Sequence, residues 1–256
     1  MDNTAIYEKF DWGKLQSNDL RDKINLVMEY IPNEVKTILD VGCGNGVITN
    51  ELAKRYEVTG VDRSLAALDY VETEKQHASA DNIPLPDNSF DMVFSSELLE
   101  HLEEDVLKKT IDELKRLNKN YVFITVPNAE NPDKLAIQCP RCRYVFNRPN
   151  HLRSFNAEDI KNQFSDYQII RTGTHGKKVR YYNNTLLKIK KRISPSSAWI
   201  PYYWIPKEKR ETVCPQCEHS FSFPYKFNIF STFVDMLNLL ISPKKPYWLF
   251  VLMKRK

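Results

Sequence analysis

Three of the chain's seven glycines, Gly42, Gly44 and Gly46, fall within five positions, directly behind the β-branched run Thr37–Val41 and ahead of an apolar helical pattern that opens at Val47. A strand, a tight glycine turn and a helix in that order let the backbone approach a ligand closely at the strand's carboxyl end. Around this turn, short β-branched runs alternate with longer helical patterns. Strands are predicted at Thr37–Val41, Val58–Val61, Met92–Phe94, Tyr121–Val126 and Gln168–Arg171, and helices at Leu20–Tyr30, Val47–Lys54, Leu65–Glu72, Asp105–Leu117 and Ala157–Phe164. Such alternation specifies an α/β fold with a mostly parallel sheet covered by helices. The run Tyr247–Met253 reads as a last strand. The expected organisation is therefore a core over 1–176, an insertion over 177–245 and the closing strand over 246–256. No internal repeat stands out.

A chain of 256 residues accommodates one large domain or a domain with a substantial insertion, and 42% hydrophobic with 27% charged residues excludes wholesale disorder. Charge is unevenly placed: residues 1–170 carry 20 Lys/Arg against 29 Asp/Glu, and residues 171–256 carry 17 against four. The basic part points to an anionic partner, with nucleic acid, phosphorylated glycan and membrane headgroups all eligible, or else to a solvated basic face. Met1–Thr4 lacks the basic and apolar run of a signal peptide. The longest apolar stretch, Phe227 to Ile241, is interrupted by Asp235 and Asn238. The expectation is a soluble, cytoplasmic protein without a transmembrane segment, for which peripheral membrane contact stays open.

Two acidic positions extend the glycine turn. Asp62 lies just beyond the second strand, where a carboxylate can accept both hydroxyls of a ribose, and Asp81-Asn82 follows what reads as a third short apolar stretch, placed to meet an adenine amino group. Asp40-Val41-Gly42-Cys43-Gly44-Asn45-Gly46, Val61-Asp62-Arg63-Ser64 and the segment Asp81–Asp91 together resemble class I S-adenosylmethionine-dependent methyltransferases with a type 11-like core. The resemblance covers about 30–176 and the last strand. It implies a Rossmann-like seven-stranded sheet whose last strand is antiparallel, with S-adenosyl-L-methionine held by Asp40, Gly42, Gly44, Gly46, Asp62, Asp81 and Asn82. Leu117-Asn118-Lys119-Asn120 stands where the family commonly has a Pro-Gly-Gly turn. Cys43 reads as a small packed residue.

After the fourth strand comes Ser95-Ser96-Glu97-Leu98-Leu99-Glu100-His101. On a helical turn, positions i, i+3 and i+4 share a face, so Glu97, Glu100 and His101 are expected to converge. Two carboxylates and an imidazole suit a divalent ion such as magnesium, manganese, iron or zinc. Glu-x-x-Glu-His resembles the motif of metal-dependent small-RNA 3′-terminal 2′-O-methyltransferases and of ubiquinone-pathway O-methyltransferases. By the same resemblance, His151, beyond Thr125-Val126-Pro127-Asn128, is the matching further ligand. An ion held by Glu97, Glu100, His101 and His151 would acidify and orient a hydroxyl. A metal-free pocket with His101 as general base is the competing reading.

Cys139-Pro140-Arg141-Cys142 and Cys214-Pro215-Gln216-Cys217 share spacing and proline, and four thiolates on two turns match a tetrahedral structural zinc site, with two unrelated turns the competing reading because the 71 residues between them exceed the usual ribbon spacing. The fold class expected is thus a methyltransferase core with an inserted zinc-knuckle subdomain. The acceptor expected is a small molecule or glycan, a saccharide or other polyol-like hydroxyl compound that can be anionic or lipid-linked. It is preferred to nucleic acid because there is no separate RNA-binding module. Tyr181, Tyr182, Trp199, Tyr202, Tyr203 and Trp204 could stack on such a ligand, build a core or anchor at an interface.

Overall fold

The structure, a computed structural model, describes residues 7, 8, 10–14, 20–193, 210–223 and 228–256. Its helices are α1 (Arg21–Tyr30), α2 (Val47–Leu52), α3 (Leu65–Leu68), α4 (Glu104–Leu117), α5 (Ala157–Gln163), α6 (Asn184–Ile193) and α7 (Ile229–Ile241). The strands are β1 (Thr37–Val41), β2 (Glu57–Asp62), β3 (Glu74–His77), β4 (Phe90–Ser96), β5 (Asn118–Pro127), β6 (Ala136–Gln138), β7 (Val145–Asn147), β8 (Tyr167–Arg180), β9 (Glu211–Val213), β10 (Ser220–Ser222) and β11 (Lys244–Arg255).

Seven strands form one sheet in the order β3-β2-β1-β4-β5-β11-β8. The pairs β2/β3, β1/β2, β1/β4 and β4/β5 are parallel, and β11 joins β5 antiparallel with Phe250 opposite Thr125. Period-two alternation in the strands creates two cores, one per face. Leu39, Val41, Val93, Val122 and Ile124 pack with Leu107, Ile111, Leu114 and Leu117 of α4. Their neighbours Ile38, Met92, Phe94 and Phe123 pack with Ile24 and Val27 of α1 and Leu52 of α2. Helix α4 shows the logic in one element: Leu107, Thr110, Ile111, Leu114 and Leu117 form its buried stripe, Glu104 and Asp105 open it, and Lys115 and Arg116 close it.

Two local expectations change. The third strand is the polar Glu74–His77, an edge strand paired only with β2, which needs no apolar run because it faces water. No turn separates α4 from β5. Asn118 is buried at the junction, its Nδ2 donating to the carbonyls of Leu114 and Lys115 and so closing the helix directly.

The chain divides into two compact units. One contains Tyr7–Ala129, Phe155–Lys177 and Pro246–Lys256, which carry the sheet, and the other contains Glu130–Ser154 and Lys178–Lys245. The second unit holds two antiparallel hairpins, β6/β7 and β9/β10, and the packed pair α6 and α7. Each element of the second hairpin follows its counterpart in the first by 75 residues, as Cys214 follows Cys139 and Phe221 follows Phe146. The unit therefore does contain a repeat, one too short and too diverged to stand out in the sequence. Trp199, Tyr202, Tyr203 and Trp204 lie outside the described residues.

Candidate active site

In the sheet unit, the glycine turn is built as the sequence specifies. Gly42, Gly44 and Gly46 have φ of 76°, 53° and 71°, and the Gly42 and Cys43 N–H groups donate to the carbonyl of Val61, tying the turn to the end of β2. A Cβ on Gly44 would lie 2.9 Å from Cζ3 of Trp12, and one on Gly42 2.9 Å from Cδ2 of Leu98. The Asp62 carboxylate accepts from Gly44 N–H at 2.8 Å and from Ser64 N–H at 2.9 Å, one oxygen each, and burial raises its pKa above the usual carboxylate range. Each oxygen keeps a lone pair for a hydroxyl.

Asp40 is buried. Its Oδ2 accepts from the Thr49 hydroxyl at 2.7 Å, Oδ1 has no hydrogen-bond partner, and burial pushes the carboxyl up to about 7. An orphaned buried acceptor at the strand end that carries the glycine turn fits a cationic ligand such as S-adenosylmethionine, whose sulfonium supplies an electrophilic methyl. Asp81 accepts from the Ser79 hydroxyl and the Asn82 N–H donates to the Ser79 carbonyl at 3.0 Å, so both sit on one small turn. Cys43 is packed beside Gly60, and burial raises its thiol pKa, which suits a filler and not a nucleophile.

Beyond β4 the helical turn expected for Glu97 does not form. Glu97 adopts φ of 54°, its N–H donates to the Thr125 carbonyl, and only Leu99–His101 make a helical turn, of the 3-10 kind. Its carboxylate instead lies 3.1 Å from Nζ of Lys23, a lysine 1% exposed on α1 whose ammonium also sits over the Trp248 ring. Glu100 is buried, and its Oε1 is 3.9 Å from Nε2 of His101. His151 belongs to the other unit, where Nδ1 pairs with Glu130 Oε2 at 2.5 Å.

Three contributors escape a reading of the sequence. Tyr7 meets the His101 ring edge-on at a centroid distance of 6.1 Å, and burial pushes its hydroxyl up to about 12. Trp12 covers Gly44, and its carbonyl accepts from Asn45. Lys23 neutralises Glu97. The only available signal was the aromatic density of Tyr7, Phe10 and Trp12, which lies outside any periodic element.

Residues 39–124 match the family described as "Methyltransferase domain". That stretch is a class I S-adenosylmethionine-dependent methyltransferase domain. It contains Asp40, the glycine turn, Asp62, Asp81 and the Glu97–His101 segment. An uncharacterised protein of Methanocaldococcus jannaschii is 26% identical over 74% of this chain and 77% of its own length. A ubiquinone biosynthesis O-methyltransferase of Hydrogenovibrio crunogenus is 34% identical over 40% of this chain, and the match spans 46% of that enzyme. The chain thus matches less than half of the named O-methyltransferase. Among solved structures, the methyltransferase fold recurs in a SAM-dependent methyltransferase from Archaeoglobus fulgidus, with TM-score 0.58, 16% identity and coverage of 94% of this chain and 96% of that one. A Methanosarcina mazei methyltransferase aligns with TM-score 0.51 at 15% identity over 90% and 96% of the two chains.

In the second unit, the sulfur atoms of Cys139, Cys142, Cys214 and Cys217 all lie within 4.8 Å of one another, with Cys139 to Cys217 at 3.7 Å and Cys142 to Cys214 at 3.5 Å. A tetrahedron with zinc–sulfur bonds of about 2.3 Å has edges of about 3.8 Å, so the spacing fits that ion. Both knuckles are built alike: the first cysteine's N–H donates across the hairpin, to Tyr144 or His219, and the residue after the second cysteine, Arg143 or Glu218, has positive φ. Burial pushes the Cys214 thiol up to about 12. Cys139 is raised by burial too, but the N–H groups of Cys142 and Arg141 bring it down to about 7.

Proposed function

We propose that the protein transfers the methyl group of S-adenosylmethionine to a hydroxyl of a saccharide or other small polyol-like acceptor, with His101 as the proton acceptor and Glu100 orienting it. The pairing of Glu97 with the buried Lys23 carries this reading. It satisfies one of the two carboxylates an ion would need, and leaves the adjacent Glu100 and His101 as the acid–base pair beyond β4. A neutral alcohol becomes a competent nucleophile when its proton is taken as the carbon–oxygen bond forms, and the imidazolium produced is stabilised by a neighbouring carboxylate. The likeness to enzymes named ubiquinone biosynthesis O-methyltransferases supports oxygen as the atom methylated. Asp40, Asp62 and the glycine turn would hold the cofactor, with Asp81 and Asn82 on its adenine side. A structural zinc on Cys139, Cys142, Cys214 and Cys217 would order the inserted unit. Four thiolates leave that ion no open position for chemistry.

Two measurements test this. His101→Ala should abolish transfer from labelled S-adenosylmethionine to a glycolipid extract while calorimetry shows the cofactor still bound. A weak chelator should leave wild-type activity intact, with zinc content assayed afterwards. Loss of activity that manganese restores, at unchanged zinc, would replace the general-base reading with a metal held by Glu97, Glu100, His101 and His151. Label appearing in RNA and not in the glycolipid extract would overturn the acceptor class.

A further inference from the structure

Helix α7 turns the usual pattern inside out. The residues facing the interior of its unit include Ser231, Asp235 and Asn238, with Val234 the lone apolar one among them. Each of these polar groups is engaged. Asp235 receives Lys190 Nζ from α6 at 2.9 and 3.0 Å and the Tyr182 hydroxyl at 2.7 Å. Asn238 accepts from Asn183 N–H at 2.8 Å and donates to the Tyr181 carbonyl. The outer face carries Ile229, Phe230, Phe233, Met236, Leu240 and Ile241, exposed by 56 to 82%. Soluble chains scatter exposed apolar residues singly, and a continuous stripe along a helix marks a face with a partner.

The surroundings say which partner. On α6, the exposed Ile189 and Ile193 lie one turn apart, next in sequence to the exposed cations Lys188 and Arg192. Lys244 and Lys245, both exposed, follow the end of α7 by three and four residues. Residues 178–245 hold 12 Lys/Arg against four Asp/Glu, and one of those four is the buried Asp235. An exposed apolar stripe on a helix packed against basic α6, in a unit with this excess of lysine and arginine, is complementary to acyl chains beneath anionic headgroups. Pairing with a second copy would set two such basic units against each other. At 13 residues, α7 is about 20 Å long, short of the roughly 30 Å hydrocarbon core, and none of the described helices is long and apolar enough to cross a membrane.

We infer that α7, with the basic edge of α6, is an interfacial anchor that seats the second unit on an anionic lipid bilayer, α7 lying in the plane of the headgroups with Phe230, Phe233, Met236 and Leu240 inserted. This stands apart from the methyl-transfer reading, since it needs nothing from the sheet unit. The test is sedimentation of the full chain with vesicles of phosphatidylcholine alone or mixed with phosphatidylglycerol. The protein should pellet with the anionic vesicles and be released as salt rises. Phe233→Glu/Leu240→Glu should drop pelleting to the vesicle-free level, and Lys188→Glu/Arg192→Glu should remove the preference for phosphatidylglycerol. All four positions are exposed, so native zinc content and circular dichroism should be unchanged. Failure of the wild type to pellet with anionic vesicles overturns the inference. So does pelleting that survives Phe233→Glu/Leu240→Glu, or a concentration-dependent dimer in ultracentrifugation that this variant dissolves while vesicle binding is absent.

Discussion

Asp40 and Asp62 stand at the same end of the sheet, and burial raises both, but their environments divide their roles. Asp62 gives each oxygen to a backbone N–H, which keeps it an acceptor. Replacing it with alanine should weaken S-adenosylmethionine binding by about 1.5–3 kcal/mol, the scale of a hydrogen bond to a charged group, as calorimetry would show. Asp40, pushed up to about 7, holds a proton that the unfolded chain has released. Its contribution to the stability of the ligand-free protein is therefore full below the unfolded pKa near 4 and is lost as pH rises through about 7. A cationic ligand prefers the ionised form, so binding runs the opposite way. Cofactor affinity should tighten about ten-fold between roughly pH 6 and pH 8, and Asp40→Asn should flatten that dependence. A flat wild-type profile would remove Asp40 from contact with the ligand's positive charge. These residues were legible because glycines and acids at strand ends have few other reasons to cluster. Lys23 was not, because a lysine on an amphipathic helix reads as solvated until the fold places Glu97 and Trp248 against it.

At the scale of elements, the sequence marks the buried strands and the long helices well, because period-two and period-3.6 apolar patterns leave little choice. It fails for β3, whose edge position asks for no apolar residue, and at Glu97, where a positive φ breaks the expected helical turn. Of the α6–α7 pair, the sequence marks a basic segment at Lys188–Arg192 and an apolar helix near Phe230–Ile241, but not the contact between them. What joins them is the buried Lys190–Asp235 pair: burial lowers the Lys190 pKa to about 8 against the pull of Asp235. Removing one partner leaves the other charge buried without compensation, so Asp235→Ala should destabilise this unit by about 3–5 kcal/mol. Lys190→Met/Asp235→Leu, which removes both charges, should cost clearly less, though the Tyr182 hydroxyl then loses its acceptor. Denaturant unfolding followed by hydrogen exchange in α6 and α7 distinguishes the two. Equal losses in the single and double variants would show that the pair is worth no more than its packing.

Across the whole molecule, the two units differ in what holds them. The sheet unit has an apolar core on each face, built from all of its central strands. Among the described residues, the other unit has a core cluster of Ile137, Cys139, Phe146, Tyr182, Leu187, Cys214 and Phe223, two of which are the thiols themselves. A metal that binds only the folded arrangement adds its binding free energy to folding. Tyr182 belongs to this core, with its hydroxyl on Asp235, so it serves packing and is not a platform for a ligand. Treatment with a strong chelator, or Cys214→Ser, should therefore raise hydrogen exchange throughout 130–154 and 178–245 while the amides of β1, β4 and β5 stay protected. Native mass spectrometry should find about one zinc per untreated chain and none in the variant. Because Asp40, the glycine turn and Asp62 lie wholly in the sheet unit, the stripped protein should still bind S-adenosylmethionine with near-native affinity. Loss of cofactor binding together with the zinc would show instead that the two units fold as one cooperative body.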